Sequence, residues 1–148
     1  TPLEDAVVAA TIANGGQRMQ PYLVAKTTRP DLSVIDQATP VSLGQAIPAS
    51  VADEIRTMMV ASENATPGSG HIAGITIASK TGTAEHGTDP KNTPPHAWYV
   101  AFAPADHPKV AVAVFVANGG DRGLNATGAT VAAPIGRDVI AAALAGLS

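Results

Sequence analysis

The chain has 148 residues, 45% of them apolar and 14% charged, which is enough for one folded domain with a core and excludes the disordered and fibrous classes. Its formal charge of −3 comes with no run of like charge, so there is no electrostatic footprint for nucleic acid or for an anionic membrane surface, and nucleic-acid binding is set aside. Cysteine is absent, which removes disulfides, thiolate nucleophiles and thiolate metal sites.

Aromatic residues make up only 3% of the chain while alanine is its commonest residue. The core must therefore be filled by small side chains in close backbone contact, and it should resist enlargement. The longest uninterrupted apolar stretch, Val110 to Ala117, is far below the roughly 20 residues that span a bilayer, which predicts no transmembrane helix. No signal-sequence pattern is present either. The chain starts at Thr1, inside what reads as a helix N-terminus, and is expected to be a piece of a longer polypeptide.

In chain order, Thr1, Pro2, Leu3 and Glu4 form a capping box with proline at the first helical position. A helix is expected with Leu3, Ala6, Val7, Ala10 and Ala13 on its packed face, stopped by Gly15 and Gly16. Residues 17–47 carry short strand signals around Tyr22 to Thr28, Val34 to Ile35 and Val41 to Leu43, a peripheral β excursion. A second helix, capped near Ser50, is predicted through about Asn64 with Val51, Ile55, Met58, Met59 and Ser62 at helical spacing.

A tight loop at Thr66 to Gly70 precedes a strand predicted from Ile75 through Glu85. The polar stretch from His86 to Pro95 reads as a long mobile loop, the kind that borders functional sites. Trp98 to Ala103 and Val110 to Ala117 predict an antiparallel hairpin turning at Pro104 to Pro108. Both faces of its second strand are apolar, so both need cover, which helices on either side would supply. Asn118 to Gly123 is a glycine-rich turn, and without a following lysine it reads as a loop rather than a phosphate cradle. A last helix is predicted from about Ala129 to Leu147, with Ile135, Val139, Ile140 and Leu144 on one face.

The stretch Ser79, Lys80, Thr81, Gly82, Thr83, Ala84, Glu85 concentrates chemistry. On a strand, alternation sends Lys80 and Gly82 to one face and Thr81 and Thr83 to the other. Gly82 lets an extended ligand approach the main chain and leaves the Thr83 N–H free to meet a developing oxyanion. A cation, two hydroxyls and an open backbone donor together suit a carboxylate and a reacting carbonyl, that is, acyl transfer. The plainer alternative is a strand end capped by Lys80, a bulge at Gly82 and threonines that merely favour β structure.

A Lys, Thr, Gly triplet is a motif of penicillin-binding proteins and serine β-lactamases, and the flanking residues fit as well. Thr1 to Leu3 followed by Ala13 to Gly16, Lys80 to Ala84, Ala97 to Pro104, and Ala132 to Pro134 together resemble, in order, segments of the class B penicillin-binding transpeptidases. The resemblance implies an α+β fold, an antiparallel β-sheet flanked by helices on both faces. Residues 1–148 would be the C-terminal portion of one transpeptidase domain. It implies a serine D,D-transpeptidase that forms an acyl-enzyme on peptidoglycan stem peptides ending in D-alanyl-D-alanine, binds β-lactams and needs no cofactor or metal. Lys80, Thr81, Gly82 and Thr83 would bind substrate, with Lys80 and Thr83 also catalytic. A β-lactam sensor, a silent binding domain, a serine β-lactamase and a D,D-carboxypeptidase are the alternatives. It also implies a membrane anchor upstream and a place outside the cytoplasmic membrane.

The family's nucleophile lies in a Ser-x-x-Lys motif, and no serine here has lysine three residues on. The nucleophile would thus come from the upstream half of the domain, and this chain alone is expected to be inactive. Ser62, Glu63 and Asn64 spell the family's Ser-x-Asn triplet but sit too close to Lys80, and read as a helix C-terminus. Ser79 departs from the family's usual glycine. A metal site from His86, His96 and His107 with Asp89 is the competing chemistry, without any short ligand spacing to support it.

Overall fold

A computed structural model of the chain describes residues 1–147. Helix α1 (Pro2–Ala13) starts at the expected capping box, with the Thr1 hydroxyl accepting from the Glu4 N–H and the Glu4 side chain returning to the Thr1 backbone. It stops before Gly15 and Gly16, both left-handed, and a Cβ on Gly16 would lie 2.1 Å from the Ile47 carbonyl oxygen, so only glycine fits. The β excursion follows as β1 (Gln17–Met19), β2 (Lys26–Thr28), β3 (Val34–Gln37) and β4 (Ser42–Gln45). These pair antiparallel as β1 with β4 and β2 with β3.

Helix α2 (Ala49–Ala65) leads to β5 (Ala78–Ala84), β6 (His96–Ala103) and β7 (Val110–Val116). These three form an antiparallel sheet in the order β5-β6-β7, with β5 at one edge. Residues 117–125 are tight turns with left-handed φ at Asn118, Gly119, Gly120 and Gly123. A widened turn, Gly128–Ala132, then feeds α3 (Ala133–Ala145).

Alternation along the sheet separates two cores. Ala97, Tyr99, Ala101 and Ala103 of β6 and Val112 of β7 pack with Ala132, Ala133 and Ile140 on the α3 side. Ala78 and Phe102 pack with Met59, Ile12 and Ile55 on the side of α1 and α2. The sheet is therefore covered on both faces, as the apolar hairpin requires.

The packed helix faces match the expected ones only in part: Ala13 of α1, Ile55 and Met59 of α2, and Ile140 and Leu144 of α3 do pack on the sheet. In α1 the buried positions are Ala9 and Thr11, while Leu3 is 54% exposed. In α2 they are Ala52, Met59 and Glu63, and Val51 and Met58 stay exposed. In α3 they are Ala133, Gly136, Arg137 and Ile140, with Ile135 and Val139 exposed. The reason is close approach: a Cβ on Gly136 would sit 2.3 Å from the Tyr99 ring, so α3 lies against the sheet along its smallest residues.

Three boundaries also move. The N-cap of α2 is Pro48, which offers no side-chain cap, rather than Ser50. Strand β5 begins at Ala78 rather than Ile75, because Gly74 turns the chain and Pro104, just past the end of β6, has no N–H to extend the ladder. The last helix begins at Gly128, one residue before the expected Ala129, as a single wide π-helical turn capped by Thr127, and becomes α-helical at Ala133. The run Gly128–Ala145, with mean hydropathy 1.3 over 18 residues, does reach the length and composition of a membrane span. That corrects the reading based on uninterrupted apolar stretches. Here the run packs on the sheet and buries Arg137 completely.

Candidate functional site

Strand β5 presents the seven-residue motif along the open edge of the sheet. Its register with β6 sets Lys80 opposite Val100, Thr81 opposite Tyr99, Gly82 opposite Trp98 and Thr83 opposite Ala97. Lys80 faces the side of α1 and α2, where it shares an apolar hollow of about 300 Å³ with Val8, Ile12, Met58, Ser62 and Val100. Its ammonium donates to the Thr81 carbonyl at 2.7 Å, and among the described residues it has no carboxylate partner. Thr83 turns the other way, where its hydroxyl oxygen accepts from the Gly128 N–H at 3.2 Å. That bond leaves the hydroxyl proton available to a ligand oxygen.

The direction of the main-chain groups follows from Gly128. A Cβ built there would lie 2.4 Å from Trp98 O, 2.6 Å from Gly82 O and 2.9 Å from Gly82 N. Those three atoms crowd one point only if Gly82 exchanges hydrogen bonds with Trp98. In an antiparallel ladder the polar groups alternate sides residue by residue, so the N–H groups of Thr81 and Thr83 face the open edge. The Thr81 carbonyl, taken by Lys80 rather than by β6, agrees. Gly82 itself would meet only the Trp98 Cβ at 3.4 Å if given a side chain. Among the described residues nothing demands glycine there, which leaves close approach of a ligand as its use.

The far end of the strand is walled by rings. His86 stacks on His96 with centroids 3.8 Å apart, and Phe115 meets both His96 and Trp98. The His86 Nε2 lies 2.9 Å from the Pro94 carbonyl, which can only accept, so that nitrogen carries the proton. The stretch 86–95 thus flanks β5 as expected, and hydrogen bonds from Asn92 and Thr93 to Asp89 also tie it down. Among the described residues, no three histidine or acidic side chains converge as a metal site. His107 lies in the turn at the opposite end of the hairpin.

Behind the strand is a feature that sequence reasoning missed. Glu63, in the last turn of α2, is 3% exposed and Arg137 is fully buried. Arg137 Nε donates to Glu63 Oε1 at 2.7 Å, and its other nitrogens reach the carbonyls of Ser69 and Thr66 at 3.0 and 3.1 Å. Glu63 Oε2 accepts from Ser79 and, at 3.0 Å, from Tyr99. The residue read as a plain helix end is the hub of a buried network. The signal available was an arginine on the packed side of an otherwise apolar helix, which needs a buried partner.

Burial alone would raise the Glu63 carboxyl, but hydrogen bonds from Arg137 and Ser79 and the guanidinium charge outweigh it and hold the pKa below the usual value. Burial, then the Glu63 charge, pushes the Tyr99 phenol up. A carboxylate with a depressed folded pKa stabilises the fold above its unfolded pKa, about 4.3, and that stability is lost as pH falls through the folded value. The melting temperature of the intact protein should therefore drop as pH falls below about 4.5. Glu63→Gln should be less stable at pH 7 and lose less on acidification.

The family model for the penicillin-binding protein transpeptidase domain matches residues 1–141. The chain belongs to this penicillin-binding transpeptidase family. It is 62% identical over 144 residues to the peptidoglycan D,D-transpeptidase PbpA of Mycolicibacterium smegmatis, covering 97% of this chain and 29% of that protein. It is 58% identical to PbpA of Mycobacterium tuberculosis, covering 99% of this chain and 30% of the relative. The chain thus spans under a third of the length of these relatives. Among solved structures, the ceftriaxone acyl-enzyme complex of penicillin-binding protein A from M. tuberculosis superposes with a TM-score of 0.94 at 58% identity, over 97% of this chain and 32% of that one. The penicillin G acyl-enzyme complex gives 0.87 at 56% identity, over 97% and 32%. The mixed helical and antiparallel architecture is that of the transpeptidase domain.

Proposed function

We propose that this chain is the substrate-binding side of a peptidoglycan D,D-transpeptidase that cross-links cell-wall stem peptides and is inhibited by β-lactams. The observation that carries the reading is the open edge of β5, where an ammonium with no carboxylate partner among the described residues, a primed hydroxyl and an outward N–H surround Gly82. Lys80 supplies charge, and the Thr81 and Thr83 hydroxyls take the carboxylate of a D-alanyl-D-alanine terminus. The Thr83 N–H is one donor of the oxyanion hole, and losing one such donor costs about 100-fold to 1000-fold in rate. A serine from the upstream part of the polypeptide attacks the carbonyl of the penultimate residue. The terminal D-alanine leaves as the acyl-enzyme forms, and an acceptor amine then resolves it. The same reading places the intact protein at the outer side of the cytoplasmic membrane, held by an upstream anchor.

The test is fluorescent-penicillin labelling of the intact protein, followed by turnover of a D-alanyl-D-alanine substrate. Labelling lost slowly, together with transfer to an amine acceptor, is expected. Rapid hydrolysis of the adduct indicates a β-lactamase, and permanent labelling without turnover a sensor. Residues 1–148 alone should form no adduct; one on any residue of this chain contradicts the assignment of the nucleophile.

A further inference from the structure

One carboxylate holds the motif strand from behind. Ser79 immediately precedes Lys80 and points to the opposite face, where its hydroxyl donates to Glu63 Oε2. Tyr99, the register partner of Thr81, donates to the same oxygen. The other carboxylate oxygen is taken by Arg137 of α3. The contact reaches the main chain on both strands: at Ser79, one residue before Lys80, and at Tyr99, directly across from Thr81. All four side chains are buried and none lies at the open edge. Among the described residues no buried side-chain polar atom lacks a partner.

Stability alone does not account for such a cluster, because apolar residues of similar volume often serve a core as well as a buried ion pair does. What the network adds is position. It joins the end of α2, β5, β6 and α3 at one point with directional bonds, so strand β5 cannot slide or tilt against the sheet without breaking a charge-assisted contact. Lys80 and the Thr83 N–H gain by that rigidity, since a displacement of about 1 Å at a reacting centre can cost about 100-fold in rate.

We propose that Glu63, acting through Ser79 and Tyr99, is a positioning residue that fixes Lys80 and the Thr83 N–H against the bond being broken. This rests on the acyl-transfer reading above. Its role is exerted through the strand; the residue touches no substrate.

The test uses the intact protein and a chromogenic β-lactam, separating the pre-acylation dissociation constant from the first-order acylation rate. Ser79→Ala and Tyr99→Phe each remove one donor and leave Glu63 Oε2 with the other, so both variants should fold. The acylation rate should fall about 10-fold to 100-fold in each, with the dissociation constant within about twofold. Ile140→Val, at a fully buried α3 residue one turn from Arg137 and in the same core cluster as Tyr99 that makes none of the network's hydrogen bonds, is the control for ordinary core loosening and should leave the acylation rate unchanged. Rates within twofold of wild type for both Ser79→Ala and Tyr99→Phe overturn the positioning role, as does an equal loss in Ile140→Val. A wild-type protein that is not acylated at all removes the acyl-transfer reading itself, and the positioning role with it.

Discussion

Arg137→Met in the intact protein should lower unfolding free energy by about 3–5 kcal/mol, the cost of removing one partner of a buried ion pair. Arg137 is fully buried and Glu63 nearly so, and the nearest other basic group, His71 Nδ1, is 3.6 Å from Glu63 Oε1 on a half-exposed side chain. Without the guanidinium, Glu63 keeps the hydroxyls of Ser79 and Tyr99 and the longer contact to His71, and the carbonyls of Thr66 and Ser69 lose their donor. The double replacement Glu63→Met with Arg137→Met should regain much of the loss, since it leaves no orphaned charge. Equilibrium denaturation of the single and the double variant checks this. A single variant within about 1 kcal/mol of wild type would mean that water or rearrangement solvates the carboxylate, and that the network does not lock the strand.

Lys80→Ala has the opposite signature. Lys80 is exposed, pairs with no carboxylate among the described residues and rests on a main-chain carbonyl, so the melting temperature should hardly change. A unit charge about 4 Å from a ligand carboxylate contributes roughly 1 to 4 kcal/mol between water and a surface-like dielectric, which is about 5-fold to 1000-fold in rate. Acylation of the intact variant by a β-lactam should fall within that range, and Lys80→Arg should recover only part of it because the fork does not reproduce a compact ammonium. A variant that acylates at the wild-type rate would assign the carboxylate to another group. One that melts much lower would make Lys80 a structural residue.

What could be read from the residues alone was whatever local chemistry dictates. Thr1 and Glu4 announce a capped helix, Gly15 and Gly16 its end. The β-branched and alanine alternation from Ala97 to Val116 fixes a hairpin buried on both sides. The alternation of Lys80 to Thr83 places the lysine and the threonines on opposite faces, as the register shows. The packed faces of the helices were less legible. Large apolar residues such as Leu3, Met58 and Ile135 suggested them, yet this alanine-rich core packs through Ala9, Ala52 and Gly136. Hydropathy weights side chains by size and apolarity, whereas backbone approach selects the smallest ones. The Glu63 network was hidden for a different reason: its ion pair joins residues 74 apart, and no local pattern connects them. In isolation Glu63 resembles an ordinary helix end, and Ser79 a departure from a glycine.

The most direct measurement is a crystal structure of the intact protein acylated by a cephalosporin. The acyl carbonyl oxygen should lie about 2.7–3.1 Å from the Thr83 nitrogen, with the ligand carboxylate on the hydroxyls of Thr81 and Thr83 and the Lys80 ammonium nearby. An acyl oxygen held by other donors, or a carboxylate seated away from β5, would contradict it.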